Sequence, residues 1–360
     1  MERRKFLKGA AIAGAASTLA APALAQAKKE MVIVSTWPRD FPGLGLPAQR
    51  LAARIGELTD GRLDVQYFAA GERVGAFDSF DEVASGNAQA YIAADYYWKG
   101  KHPGWAPFTA IPFGMTYTEI DAWIKYGGGQ ELWDELAAQF GLKNLACGNT
   151  GVQMGGWFNK EIESADDLKG LKMRIPGLGG DVMAKLGASP VSLPGGQIYE
   201  NLVSGAIDAT EWVGPYNDYF MKFYEAAKYY YWPGMHEPGA QIAFGMNKAW
   251  WDDLTKNEQN IIEAACNEEN TRTMAETNAF NGEYLNRLIN DHGVQLREFN
   301  DDVYDAFGEA SAEVIEEARE FDDLSKKIYD AVLEKRAELG AWTELSDTAY
   351  VQKRNAVINQ

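Results

Sequence analysis

Short apolar strands alternate with amphipathic helices along this chain, stop, and then resume halfway; that rhythm narrows the available folds more than any other feature. Residues 31–36 (MVIVST) are an unbroken apolar run of strand length. Residues 44–58 carry apolar side chains at helical spacing and stop near Gly61. Leu63, Val65 and Tyr67 alternate as in a strand, 77–85 is a helix closed by Gly86, and 88–92 is again a strand. This β-α-β-α-β order predicts a largely parallel sheet with helices on its faces. The rhythm resumes with a strand at 143–147 and a short helix capped by Ser164 and Asp167. A strand at 172–175, helices at 181–186 and 197–204 ended by Gly187 and Gly205, and a strand from Ile207 follow. Two such units predict an α/β protein of two lobes, whose ligands bind beyond the carboxyl ends of the strands, often between domains.

The last third differs. Thr255 and Glu258 form a capping box ahead of Ile261, Ile262 and Ala265. Residues 303–338 are rich in Ala, Glu and Lys, with Val303, Phe307, Ala310, Val314 and Ala318 at helical spacing. These are long surface helices that either brace both lobes or pack against another subunit. A chain of 360 residues with 46% hydrophobic content has material for two cores.

Residues 1–25 (MERRKFLKGAAIAGAASTLAAPALA) read as an export signal. Arg3, Arg4, Lys5 and Lys8 precede a small-residue apolar run, and Ala23-Leu24-Ala25 supplies the A-x-A cleavage pattern. The run RRKFLK resembles a twin-arginine signal. The apolar run is too short and too rich in Ala and Gly for a bilayer span, which needs about 20 apolar residues. The formal charge is −18, and cleavage of a segment with net +3 takes it to −21. So acidic a chain is unsuited to nucleic-acid phosphates or anionic lipid. An anionic ligand requires a pocket with its own positive charge. Cys147 and Cys266 are far apart and read as buried free thiols, and His102, His236 and His292 show no zinc spacing.

Five segments place polar residues beside Gly or aromatics: 95–103 (DYYWKGKHP), 148–158 (GNTGVQMGGWF), 172–180 (KMRIPGLGG), 208–218 (DATEWVGPYND) and 229–239 (YYYWPGMHEPG). Arg174 ends a strand just before a Pro-Gly-Leu-Gly-Gly loop that opens a helix. An arginine fork matches a carboxylate, and a helix N-terminus adds favourable potential. The same Arg would serve equally as an ordinary salt bridge between lobes. Gln153, Glu211 and Glu237 suit a hard cation such as sodium, calcium or magnesium; Glu211 and Glu237 also suit an acid–base pair or plain surface positions. Tyr96, Tyr97, Trp98, Trp157 and Trp212 either line a pocket or pack the core. Gly127-Gly128-Gly129 lacks the G-K-[ST] of a phosphate loop and reads as a turn.

In order and spacing, GNTGVQMGGWF, GLKMRIPG and DATEWVGPYND resemble the DctP family of TRAP (tripartite ATP-independent periplasmic) transporter solute-binding proteins. More narrowly they resemble the branch that binds 2-oxo acids such as pyruvate and 2-hydroxy acids such as lactate. The resemblance covers about residues 32–341 and is strongest over 148–239. It implies a two-lobe periplasmic-binding-protein fold with hinge strands, a long bridging helix and C-terminal helices. The expected division is lobe I from 26–145 and about 240–280, lobe II from 146–239, and C-terminal helices over about 281–360. The resemblance makes Arg174 the clamp on the substrate carboxylate. It makes Gln153, Glu211, the Trp212 carbonyl and Glu237 the ligands of a sodium or calcium ion, with Tyr96, Tyr97 and Asn149 also lining the site. Met235-His236 departs from the more aromatic pair expected before the Glu. The implied partners are the membrane subunits of a TRAP permease, with a homodimer through the C-terminal helices. The implied protein binds and releases its ligand unaltered in the periplasm. The alternatives are an exported enzyme acting on a small carboxylate and a ligand-sensing module.

Overall fold

Parallel strands cannot be joined by a tight hairpin, so each must be reached through a crossover. The opening of the chain is built that way. In this computed structural model, which describes residues 28–358, β1 (Lys29–Ser35) leads through the helix Gly45–Leu58 to β2 (Leu63–Phe68). A second helix, Ser79–Ala84, leads to β3 (Ala90–Ala93). The export signal read at 1–25 lies outside the described residues. β1 pairs in parallel with both neighbours, with Ile33 opposite Tyr67 on one side and Ala90 on the other. Its last five residues are all buried, as expected of a parallel strand covered on both faces. The crossover helix buries Ala48, Leu51, Ala52 and Ile55, one stripe of a 3.6-residue repeat. Gly61, at φ +69°, turns the chain back into β2.

After the helices Tyr117–Tyr126 and Gly129–Gln139 comes β4 (Leu142–Asn149). The chain then passes into a second sheet for β5 (Gly156–Phe158), β6 (Lys172–Arg174), β7 (Ser189–Val191), β8 (Ala209–Thr210) and β9 (Tyr229–Trp232). It returns for β10 (Gln241–Asn247), which lies antiparallel between β3 and β4. The first sheet therefore runs β2-β1-β3-β10-β4. The second, completed by β11 (Gln295–Glu298), runs β11-β9-β5-β8-β6-β7. The result is a mixed α/β fold of two sheets, linked by the crossings 150–155 and 233–240. These crossings are bonded to each other: the Thr150 N–H donates to Ala240 O and the Gln153 N–H to Glu237 O, both at 3.1 Å.

The helix Lys256–His292 begins at the Thr255–Glu258 capping box and ends at Gly293 in the left-handed region. It packs on β4 and the helix Gly45–Leu58 on one side, and on the helix Pro215–Met221 of the second sheet on the other. It is therefore the bridging helix. The helix Asp301–Arg319 buries Val303, Phe307, Ala310, Val314 and Ala318 and packs on the helix Gly177–Lys185. The helix Asp323–Thr343 packs on the segment Pro103–Phe108 and the helices that precede β4. The terminal helix Ala349–Ile358 has no buried residue, and Trp342, Leu345, Tyr350 and Val357 are exposed.

Two local readings are corrected. The stretch from 281 is not all helical, because Gln295–Glu298 pairs in parallel with β9. Four residues at a sheet edge, three of them charged or amide, carry too little pattern to announce a strand. The Gly-Leu-Gly-Gly run after Pro176 is the first turn of the helix Gly177–Lys185, not a loop before it. Its glycines answer to packing: a Cβ at Gly180 would stand 2.7 Å from Ile175 O, and one at Gly179 would stand 2.8 Å from His236 Cβ. Cys147 and Cys266 are buried free thiols. No helix among the described residues is long and apolar enough to cross a membrane.

Candidate functional site

Strand ends and the two crossings converge on one small cavity between the sheets. The turn after β3 contributes Ala94, Tyr96 and Tyr97; the end of β6, Arg174; the turn after β8, Trp212 and Val213. The crossings contribute Thr150, Gln153, Glu237 and Ala240, and the segment after β1 adds Trp37 and Leu44. This is where an open α/β sheet offers its ligand site, because backbone groups at the carboxyl ends are not spent in the ladder.

Arg174 is 1% exposed and lies on the wall of this cavity. Its Nε donates to Leu193 O at 3.1 Å, Nη1 meets the Glu211 carboxylate, and the guanidinium lies 5.3 Å from the Trp212 ring centre. Burial works against its charge, yet Glu211, with Tyr97, Tyr96 and Glu237 beyond it, holds its pKa above the ordinary arginine value. Glu211 is shared: one oxygen takes Arg174, and the other stands 3.2 Å from His236 Nε2. Glu237 Oε2 accepts from Gln153 Nε2 at 2.7 Å, and the same amide donates to Thr150 Oγ1 at 3.0 Å.

The charges do not balance. One guanidinium and one titratable imidazole face two buried carboxylates, so no positive charge is spare once both acids ionise and an anionic ligand enters. The protonation of the site registers this. Burial and the Glu211 charge push Glu237 up to about 7. Burial opposes a proton on His236, but Glu211 outweighs it and raises the imidazole pKa. Hydrogen bonding is also unfinished. Gln153 Oε1 and Glu237 Oε1 are buried acceptors with no partner among the described residues, while Arg174 Nη2 and Trp212 Nε1 are buried donors with none. Such atoms cost about 1–3 kcal/mol each when left so. Two orphaned acceptors beside an excess of carboxylate fit a cation; an orphaned guanidinium nitrogen fits an anion.

Of the residues singled out in the sequence, Tyr96, Tyr97, Gln153, Arg174, Trp212 and Glu237 line this cavity, and Glu211 lies directly behind Arg174. Asn149 does not reach it. Its Oδ1 accepts from the Gly151 N–H at 2.9 Å and its Nδ2 donates to Gly239 O at 3.3 Å, so its side chain is spent on the crossings. It borders an adjoining apolar cavity with Leu51, Ile92 and Cys147, which shares Trp37, Leu44 and Ile242 with the main one. Trp98 and Trp157 pack cores: Trp98 against Phe80 and Tyr91, both at 4.9 Å, and Trp157 stacked on Tyr230 at 4.0 Å. His236 was missed as a participant. Its neighbour Glu237 was the available signal, but only the fold sets its ring against Glu211 from a different strand end.

Comparison with known proteins agrees with this geometry. Residues 34–321 match the family model for bacterial extracellular solute-binding proteins, family 7 (DctP). A monocarboxylate 2-oxoacid-binding periplasmic protein of Nostoc sp. PCC 7120 is 38% identical, covering 97% of this chain and 98% of its own length. A TRAP solute-binding protein from Bordetella bronchiseptica, a dimer with calcium and picolinate in one active site, superposes with a TM-score of 0.90 at 35% identity, covering 92% of this chain and 99% of that one. One from Pseudoalteromonas atlantica with bound sodium and pyruvate gives 0.87 at 39% identity, over 90% and 99%. With four-fifths of its length inside the family model and a fold shared almost end to end, this chain belongs to the DctP family of TRAP-transporter solute-binding proteins.

Proposed function

We propose that the protein is a periplasmic receptor that captures a small 2-oxo or 2-hydroxy monocarboxylate, such as pyruvate or lactate, together with a cation, and hands it unaltered to the membrane subunits of a TRAP permease. The observation that carries this reading is the complementary set of orphaned polar atoms in one cavity, two acceptors and two donors. In this reading Arg174 Nη2 takes the ligand carboxylate, and Tyr96 and Tyr97 form an aromatic wall. Gln153 Oε1, Glu211, the Trp212 carbonyl and Glu237 Oε1 hold sodium or calcium, ions that suit oxygen donors. Asn149 acts on the site only through the crossings it ties together. The cation supplies the positive charge that Arg174 alone does not, so a second carboxylate enters without a bare buried anion.

Capture works by closure. Ligand contacts with both lobes favour the closed arrangement. Contacts across the cleft, such as the Lys99–Asp181 ion pair at its mouth and Phe41 edge-on to Trp212, give that arrangement its own footing. The signal at 1–25 delivers the chain to the periplasm. The exposed apolar residues of the last helices serve a homodimer, in line with the dimer described for the Bordetella relative.

A thermal-shift series on the mature protein tests the reading, with small carboxylates in sodium, calcium or chelator. A ligand present at 100 times its Kd stabilises by about 2.7 kcal/mol. The expected result is a rise in Tm with one or more 2-oxo or 2-hydroxy acids that collapses in chelator and low sodium. No rise with any carboxylate, after unfolding and refolding to strip carried-over ligand, overturns it.

A further inference from the structure

We infer that the adjoining apolar cavity receives the hydrocarbon tail of the ligand, so that the receptor prefers 2-oxo acids with one or two carbons beyond C3 over pyruvate. The inference rests on the function proposed above and narrows its substrate class. The two cavities adjoin, since Trp37, Leu44 and Ile242 stand on the walls of both. Beyond them the second cavity is lined by Pro47, Ala48 and Leu51 of the helix Gly45–Leu58, by Ile92 of β3 and by Cys147 of β4. All five are buried.

Polar accounting separates the two cavities. In the first, Arg174 Nη2, Trp212 Nε1, Gln153 Oε1 and Glu237 Oε1 are buried without partners among the described residues and call for a charged ligand head. Of the side chains that line only the second, Asn149 and Thr273 carry oxygen or nitrogen, and both are spent within the protein. Asn149 holds the crossings, as described above. Thr273 Oγ1 accepts from the Asn149 N–H at 3.1 Å and donates to Glu269 O at 3.0 Å. A polar ligand group placed there gives up water for nothing, whereas hydrocarbon gains by burial.

Position in the fold orients the ligand. Arg174, Glu211 and Trp212 stand at strand ends of the second sheet, whereas Ile92 and Cys147 belong to the first sheet and Thr273 to the bridging helix. A ligand whose carboxylate is held at Arg174, and whose C3 turns toward Trp37, Leu44 and Ile242, is gripped at its head by one lobe and at its tail by the other. Each added methylene then favours closure as well as binding. The cavity is small, which limits the tail to one or two carbons beyond C3.

The test is titration calorimetry of wild type, Ala48→Leu and Leu51→Ala, in sodium and calcium, with pyruvate, 2-oxobutyrate, 2-oxovalerate, 4-methyl-2-oxovalerate and 2-oxoglutarate. Wild type is expected to gain about fourfold in affinity per methylene from pyruvate to 2-oxovalerate, the worth of one buried CH₂. It is expected to bind 2-oxoglutarate at least about a hundredfold more weakly than 2-oxovalerate, whose tail carries no second carboxylate to bury without a partner. Ala48→Leu fills the cavity and is expected to bring the ratio of 2-oxovalerate to pyruvate affinity to about one or below. Leu51→Ala enlarges it and is expected to move the optimum to 4-methyl-2-oxovalerate. Affinity that is flat or falls from pyruvate to 2-oxovalerate in wild type, or a preference that neither variant alters, overturns the inference and leaves the head site standing. Failure of wild type to bind any 2-oxo acid overturns this inference and the proposed function together.

Discussion

Asp218 is buried inside the second lobe and makes no ion pair among the described residues. It accepts four hydrogen bonds: from the Val213 and Gly214 N–H groups at 3.1 Å, the Trp157 indole at 2.9 Å and the Tyr230 hydroxyl at 2.7 Å. The donors favour the anion, but burial outweighs them and pushes the carboxyl up to about 7 from 3.8. In the unfolded chain it ionises near 3.8, so between about pH 4 and 7 folding takes up one proton there. Stability contributed by this group is therefore present at low pH and falls as pH rises to 7, by about 1.4 kcal/mol per unit and about 4 kcal/mol in all. Asp218→Asn removes the titration. Its amide nitrogen cannot accept from the Trp157 indole, which adds a pH-independent cost of about 1–3 kcal/mol. Measured by denaturant unfolding of the ligand-free protein from pH 5 to 8, the variant should gain about 3 kcal/mol on wild type across the range. A constant difference at every pH would refute the reasoning.

Three other outcomes follow from the same geometry. A Cβ at Gly195 would stand 2.4 Å from the Trp212 ring, so Gly195→Ala should tilt that ring off Arg174 and weaken ligand binding about tenfold, by calorimetry, in a folded protein. Thr255→Ala removes the cap on the bridging helix, where the Glu258 N–H donates to Thr255 Oγ1 at 3.3 Å, and should cost about 1 kcal/mol in unfolding. Truncation after Thr343 removes the unburied end of the chain; sedimentation should then report a monomer whose ligand affinity is kept.

How much could be read in advance divides along a physical line. Local pattern carried β1, the helix Gly45–Leu58, the capping boxes at Ser164 and Thr255, and the buried stripe from Val303 to Ala318. Arg174 stood out by its residue type, strand end and acidic surroundings, but these left clamp and salt bridge equally open; in the structure one guanidinium nitrogen pairs with Glu211 and another is buried without a partner. Glu211 and Glu237 were ambiguous too: a Glu looks the same at a surface and at a site until its neighbours are known. β11 and His236 were illegible because each depends on a partner distant in sequence, β9 for the strand and Glu211 for the ring. Trp98 and Trp157 illustrate the cost of reading aromatics locally. Strand-end position does not distinguish a ring that faces a cavity from one stacked in a core.

The two buried acids next to the site share one design. Asp95, one residue before Tyr96, accepts from Tyr91, Trp133 and Asn144 and is pushed by burial up to about 7. Asp218 fixes the turn that carries Trp212 and Val213. Each lobe thus holds one face of the cavity by a carboxylate bonded to an indole and a phenol. Rigid walls of this kind reduce the ordering cost of binding a small ligand.

The central claim is that Arg174 and a cation together receive one carboxylate. Titration calorimetry of pyruvate into wild type and Arg174→Ala, each with and without chelator, tests it most directly. The account predicts binding to wild type with cation, with a loss of at least about 2 kcal/mol on removing either the guanidinium or the ion. Pyruvate affinity that is indifferent to both would contradict it.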